Sequence, residues 1–243
     1  DVTGVADTPV IVGGGSIVGD ENKGFFHNLN IQTDDRDGSE AITRVLIENV
    51  HHEIRFQFAD GTIVAPDAVD LLTGRKTYDM DWGKFMSVSI YAPDNFAAGV
   101  DTSFKITATS TDFTAPAGLD RTRESIFNVP VLVRNVAPDI TGLFGTNVDS
   151  NASTSLTALL NDAPRDTMSI IIQWGRSTTG FPQTTALAGI APGSSIFQQF
   201  TFLVAPNPAD PSAPIEIIVT ATDKDGGVAT RTVTIAVPGT GIP

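Results

Sequence analysis

The sequence predicts an all-β chain built as two tandem antiparallel β-sandwiches, and three observations lead there. Apolar and polar residues alternate at period two along much of the chain, the pattern of strands with one buried face. Heptad and 3.6-residue patterns are nearly absent, so helix is expected to be minor. The alternating runs are separated by Gly, Pro and Asp, the residues that make the tight turns antiparallel neighbours need.

Taken in order, residues 1 to 8 read as a junction, because Val5-Ala6-Asp7-Thr8-Pro9 sets an aspartate and a proline between apolar strands. Gly13-Gly14-Gly15 reads as a turn rather than a phosphate cradle, since no helix evidently follows it. Short helical pieces are expected around Asp67 to Leu72 and Asp81 to Phe85, where polar and apolar residues mix without strict alternation. Met86, Val88 and Ile90 then alternate with Ser87, Ser89 and Tyr91, and Phe104, Ile106 and Ala108 with Lys105, Thr107 and Thr109. Phe127, Val129, Val131 and Val133 are expected on one face of a longer strand.

A boundary is placed at Asn135-Val136-Ala137-Pro138-Asp139, where a valine-rich strand meets a proline that blocks its continuation. It divides the chain into domains 1–136 and 137–243, joined by a short Pro-containing linker. Beyond it, Ile170, Ile172 and Trp174 are expected to face inward, as are Phe200, Phe202 and Val204, then Ile215, Ile217, Val219 and Ala221, then Val233, Ile235 and Val237. The tail Pro238-Gly239-Thr240-Gly241-Ile242-Pro243 reads as the start of a further linker, and the whole as a segment of something longer.

Composition narrows the function. A length of 243 residues allows two ordinary domains, each with its own core. The formal charge of −13 argues against nucleic acid, whose phosphates need clustered Lys and Arg, and makes cations the natural partners. No apolar run approaches the ~18 residues of a membrane span. Cysteine is absent, which removes disulfides, thiolate metal sites and cysteine nucleophiles and leaves burial or a metal to stabilise a secreted chain. Charge is uneven: residues 1–136 carry 20 acidic and 11 basic side chains, and residues 137–243 carry 8 and 4.

Much of the acidity lies in two turns, Asp34-Asp35-Arg36-Asp37-Gly38-Ser39-Glu40 and Ala221-Thr222-Asp223-Lys224-Asp225-Gly226-Gly227. Carboxylates two residues apart in a turn can converge on one hard cation with six to eight oxygen ligands, while the glycine permits a positive φ. Without a cation, two such groups about 4 Å apart repel by roughly 4 kcal/mol at an effective dielectric near 20. The bland reading is that Asp-Gly simply makes good turns. Neither loop has the ligand spacing of an EF-hand.

In order along the first half stand Val5-Ala6-Asp7-Thr8-Pro9, Gly19-Asp20-Glu21, Asp35-Arg36-Asp37-Gly38-Ser39-Glu40, Ile90-Tyr91-Ala92-Pro93-Asp94-Asn95-Phe96 and Ile106-Thr107-Ala108-Thr109-Ser110-Thr111-Asp112. This succession resembles the bacterial Ig-like or cadherin-like repeats of giant surface adhesins. The second half resembles a PKD-type Ig-like repeat through Asn135-Val136-Ala137-Pro138, Ile172-Gln173-Trp174-Gly175 and Val219 to Gly227. Arg176-Ser177 departs from the Asp-Gly that usually follows Trp-Gly, and the stretch from Ala65 to Lys84 exceeds the usual repeat. The resemblance implies a scaffolding module of a secreted or cell-surface bacterial protein: an adhesin stalk, surface layer or biofilm matrix. It also implies neighbouring repeats as partners and calcium (Ca2+) near domain ends, stiffening the array. The matching candidate ligands are Asp7, Asp20, Glu21, Asp35, Asp37, Glu40 and Asp112 in the first domain, and Asp139, Asp162, Asp166, Asp223 and Asp225 in the second.

Two other classes compete. Catalysis finds little support: His27, His51 and His52 are the only histidines, adjacent histidines on a strand point to opposite faces, and no zinc-protease, nucleophile-elbow, Walker or Rossmann motif occurs. A binding module for surface glycan or a protein partner, or an accessory domain of an extracellular enzyme, would need an exposed aromatic platform; Trp82, Tyr78 and Tyr91 are the candidates, with Trp174 phased inward. Lateral self-association through edge strands is a further mode that the sequence leaves open, because it does not reveal which strands are edges. Asn151-Ala152-Ser153 matches the N-glycosylation triplet, which is common by chance.

Overall fold

The computed structural model describes residues 5–12, 15–34, 38–93, 96, 100–116, 119–175, 183–203, 210 and 212–237. The chain divides between Arg134 and Asn135 into two compact units. Both are antiparallel β-sandwiches in their main sheets, and among the described residues no helix is long and apolar enough to cross a membrane.

The first unit contains β1 (Val10–Ile11), β2 (Ile17–Asp20), β3 (Gly24–Phe25), β4 (Ile31–Gln32), β5 (Glu40–Val50) and β6 (Arg55–Gln57). It continues through β7 (Ala68–Val69), β8 (Lys76–Asp81), helix α1 (Trp82–Ser87), β9 (Ser89–Tyr91), β10 (Phe104–Asp112), β11 (Thr122–Val129) and β12 (Val131–Arg134). One sheet has the order β11-β10-β5-β8-β7; β3-β9-β6, β12-β2 and β1-β4 form smaller sheets. Their inner faces enclose Val45, Ile47, Phe56, Tyr78, Ile90 and Ile106, all essentially without solvent exposure. That burial pushes the Tyr78 phenol up to about 12.

Three local expectations are corrected here. The valine-rich strand is two strands: β11 pairs antiparallel with β10, whereas β12 pairs parallel with β2. Pro130 stands between them, and its missing N–H ends one ladder while its carbonyl accepts from the Ile17 N–H at 2.9 Å. Residues 67 to 72 are not helical. Asp70 Oδ1 accepts from the N–H of Leu72 at 2.8 Å, capturing a donor that a helix would use, and Asp67 Oδ2 accepts from the N–H of Asp79 in the returning strand at 2.7 Å, so a hairpin results. Met86 belongs to α1 rather than to a strand, and only Val88 and Ile90 of that series face the core. The helix expected near Asp81 exists, with Asp81 as N-cap accepting from Lys84 N–H at 2.7 Å.

The second unit holds β13 (Asp139–Gly145), β14 (Ser153–Asn161), β15 (Met168–Trp174), β16 (Gln183–Ile190), β17 (Ser194–Thr201), β18 (Ile215–Asp223) and β19 (Val228–Ile235). Sheets ordered β13-β14-β17 and β16-β15-β18-β19 face each other, the first, second and fifth strands against the rest, an Ig-like arrangement. The inward series of β15 and β18 are buried throughout. Trp174 on the third strand fills the centre of this core, stacked on Phe200 at 4.8 Å and donating its indole N–H to Thr185 Oγ1 at 2.9 Å. With no disulfide available, this aromatic pair packs where such sandwiches carry their central tryptophan.

Candidate metal centre

Strand register assembles the acidic end of the second unit. Met168 of β15 lies opposite Asp223 of β18, so the chain entering β15 and the turn leaving β18 meet at one end. The entering segment carries Asp162 and Asp166, one carboxylate oxygen from each of which lies within 4.8 Å of the others and of one from Asp223. A calcium ion with oxygens at 2.3–2.6 Å spans ligands up to about 5 Å apart, so these three can share one shell.

The turn after β18 holds Asp223 rigidly. Its Oδ1 accepts from the N–H groups of Asp225 and Gly227, each at 2.8 Å, and Asn135 Nδ2 donates to its Oδ2 at 3.0 Å. Gly226 has φ +93°, and a Cβ at Gly227 would meet Ala137 Cα at 2.9 Å, so both glycines are required by the bend. On the facing segment, Asp162 Oδ1 accepts from Ala163 N–H at 2.8 Å, and Asp166 N–H donates to Ala163 O at 2.9 Å. Asp166 is fully buried. The Lys224 ammonium lies 2.6 Å from Asp166 Oδ1 and 3.0 Å from Asp225 Oδ2, which brings the fourth acid to the group. The donors are all oxygen, the set that suits a hard divalent cation, and a positive charge already stands among them.

Two participants escaped the sequence reading. Lys224 sits inside the acidic motif, where an ammonium between two aspartates was the available signal. Asn135 gave none, because its contact with Asp223 spans 88 residues.

The other candidates are distributed differently. Asp139 pairs with Arg231 at 3.7 Å, largely exposed. In the first unit, Asp112 and Glu40 are register partners, and Glu40 Oε1 accepts from Asp7 N–H at 2.7 Å, so these three share one end. Asp112 Oδ1 accepts from Thr114 N–H, Thr114 Oγ1 and Ala115 N–H at 2.7, 2.9 and 3.0 Å. Burial opposes its charge, and these bonds outweigh burial and hold its carboxyl below the ordinary value. Asp20 pairs with Arg134 at 3.0 Å; Glu21 follows it and is buried. Asp35 and Asp37 lie outside the described residues. Among the described residues of this unit, the one group of three potential ligands within a single shell is His51, His52 and Glu53.

That group corrects the reading of the histidine pair. The residues stand in a turn beyond β5, not on a strand, and their rings approach to 4.3 Å. Burial and the neighbouring His52 keep His51 below its ordinary pKa. Glu53 acts against that lowering, while Arg75 and Lys76 add to it. Among the aromatic candidates, Tyr78 is core, Trp82 opens α1 with its ring 5.6 Å from that of Phe85 in the same helix and packs against the core, and Tyr91 is not solitary: Arg55 lies 4.1 Å from its ring centre and its hydroxyl donates to Asn22 Oδ1 at 2.5 Å.

No family model matches this chain, and no curated protein matches it. Among solved structures, it is similar to a DUF3823 family protein from Bacteroides ovatus, at 8% identity and TM-score 0.33 over 83% of this chain and 95% of that one. A DUF3823 family protein from Parabacteroides merdae gives 9% identity and TM-score 0.31, over 96% of this chain and 100% of that one. The FN1-FN3 domains of chicken CNTN1 give 11% and 0.28, over 96% of this chain and 69% of that one. These superpositions are loose, and the fold assignment rests on the strands and their registers.

Proposed function

We propose that the chain is a structural repeat segment of a large secreted or cell-surface bacterial protein, and that calcium bound by Asp162, Asp166 and Asp223 stabilises its second sandwich. The observation that carries this reading is the convergence of three aspartates on one shell-sized space, with a lysine ammonium standing as internal cation. A divalent ion would neutralise more of that charge. Lys224 is one-third exposed, so its head can turn to water when calcium enters.

Asn135 begins the second unit and holds Asp223, so an ion on Asp223 would also order the entry to that unit. Stiffening of successive repeats, in an adhesin stalk, surface layer or matrix, extends this reading. Sites of extracellular modules bind at about 10⁻⁴ to 10⁻³ M, and occupancy at about 100 times the dissociation constant adds roughly 2.7 kcal/mol. Isothermal titration of the chain with calcium tests the assignment. Saturable binding in that range, lost in Asp166→Asn and much weaker with magnesium, is expected. Binding unchanged in Asp166→Asn would place the ion elsewhere.

A further inference from the structure

The outer face of the β13-β14-β17 sheet stands apart from the rest of this acidic chain. Register places Phe144, Thr157 and Phe197 in one row across the three strands, and Thr141, Leu159 and Ser195 in the next. On the other side, Ser155 lies opposite Gln199, and Ser153 opposite Thr201 with their hydroxyls 2.7 Å apart. No ionisable side chain occurs in these four rows, although the chain carries a formal charge of −13. Asp139, one row beyond, is near Arg231.

The two phenylalanines are 63% and 59% exposed, and Leu159 is 39% exposed. Phe144 reaches the surface only through a bulge. Between Thr141 and Phe144 the β13 register slips against β14, with Gly142 at φ +57°, which turns Leu143 toward the core and Phe144 outward. Simple alternation from buried Ile140 would have pointed Phe144 inward. Two strand spacings separate the rings' strands by about 10 Å, roughly the repeat of two sugars in an extended chain.

We propose that this face binds an uncharged polysaccharide, its sugar rings stacking on Phe144 and Phe197 and its hydroxyls meeting the Ser, Thr and Gln side chains around them. Complementarity of charge favours this occupant: a charged polymer finds no counter-charge in these rows. A protein partner is a poorer fit, because two phenylalanines and one leucine fall short of the apolar centre of an interface burying about 800 Å² per partner.

The test is native affinity electrophoresis of the whole chain through gels containing xyloglucan, mixed-linkage β-glucan or galactomannan, with polygalacturonate as the charged control. All gels contain chelator, so failure of the calcium reading leaves this one standing. Retardation by at least one neutral polymer and none by polygalacturonate is expected. Phe144→Ala and Phe197→Ala should each weaken it about tenfold, and Phe197→Tyr should retain it. Both alanine changes are at exposed positions, and unchanged thermal unfolding verifies that the fold survives. Passage unretarded through all three neutral gels overturns the proposal, as does equal retardation by polygalacturonate or undiminished retardation of the double variant. Self-association in sedimentation velocity, abolished by that double variant, would assign the face to a second copy instead.

Discussion

His27 shows how one side chain ties the first sandwich to pH. Its Nε2–H donates to Phe85 O at 3.1 Å, its Nδ1 accepts from Leu29 N–H at 3.2 Å, and the ring stacks on Phe85 at 4.0 Å. Protonating Nδ1 would oppose the Leu29 donor. Burial lowers the His27 pKa below its ordinary 6.5, partly offset by the Phe85 bond. The unfolded chain therefore takes the proton first. Stability is complete above about pH 6.5 and falls as pH drops below it toward the folded value. Urea unfolding at pH 7.5, 6.5 and 5.5 should show this decline, and His27→Gln should flatten it; an equal slope in the variant would contradict the assignment. Asp112 acts in the same sense only in stronger acid, because its depressed pKa makes stability fall below its ordinary 3.8.

Lys224 gives a second residue-scale prediction. Lys224→Met removes the ammonium from a buried carboxylate, so it should lower stability in calcium-free buffer by about 1–3 kcal/mol. The same change removes calcium's competitor and should tighten calcium binding severalfold, which titration calorimetry reads directly. Loss on both counts would mean that Lys224 supports the site rather than occupying it.

Among the elements, β2 and β3 approach so closely that a Cβ on Gly19 would overlap the Phe25 ring. Gly19→Ala should therefore destabilise the first unit by about 1–3 kcal/mol, read as a lower urea midpoint with unchanged slope. The sheet elements were legible where alternation and burial coincide, as in Ile170, Ile172 and Trp174 or Ile215 to Ala221. Misreadings arose where a side chain redirects the backbone. Pro130 sends one apolar run into two sheets, and the Asp67 and Asp70 side chains hold a mixed segment in a hairpin. In the candidate site, Asp223 and Asp225 were visible in an acidic turn, whereas Asp162 and Asp166 came only through the family resemblance. Their meeting depends on the long-range β15-β18 register, which local spacing does not encode.

At the scale of the molecule, two hydrophobic cores stand without any cysteine to reinforce them. The second gathers four aspartates and a lysine at one of its ends. A folded domain has only about 5–15 kcal/mol of net stability, so an ion worth roughly 2.7 kcal/mol is a large share. Differential scanning calorimetry of the whole chain in saturating calcium and in chelator tests this most directly. The account predicts that the transition of the second unit rises by several degrees with calcium and that Asp166→Asn abolishes the rise. Superimposable transitions in the two buffers would contradict it.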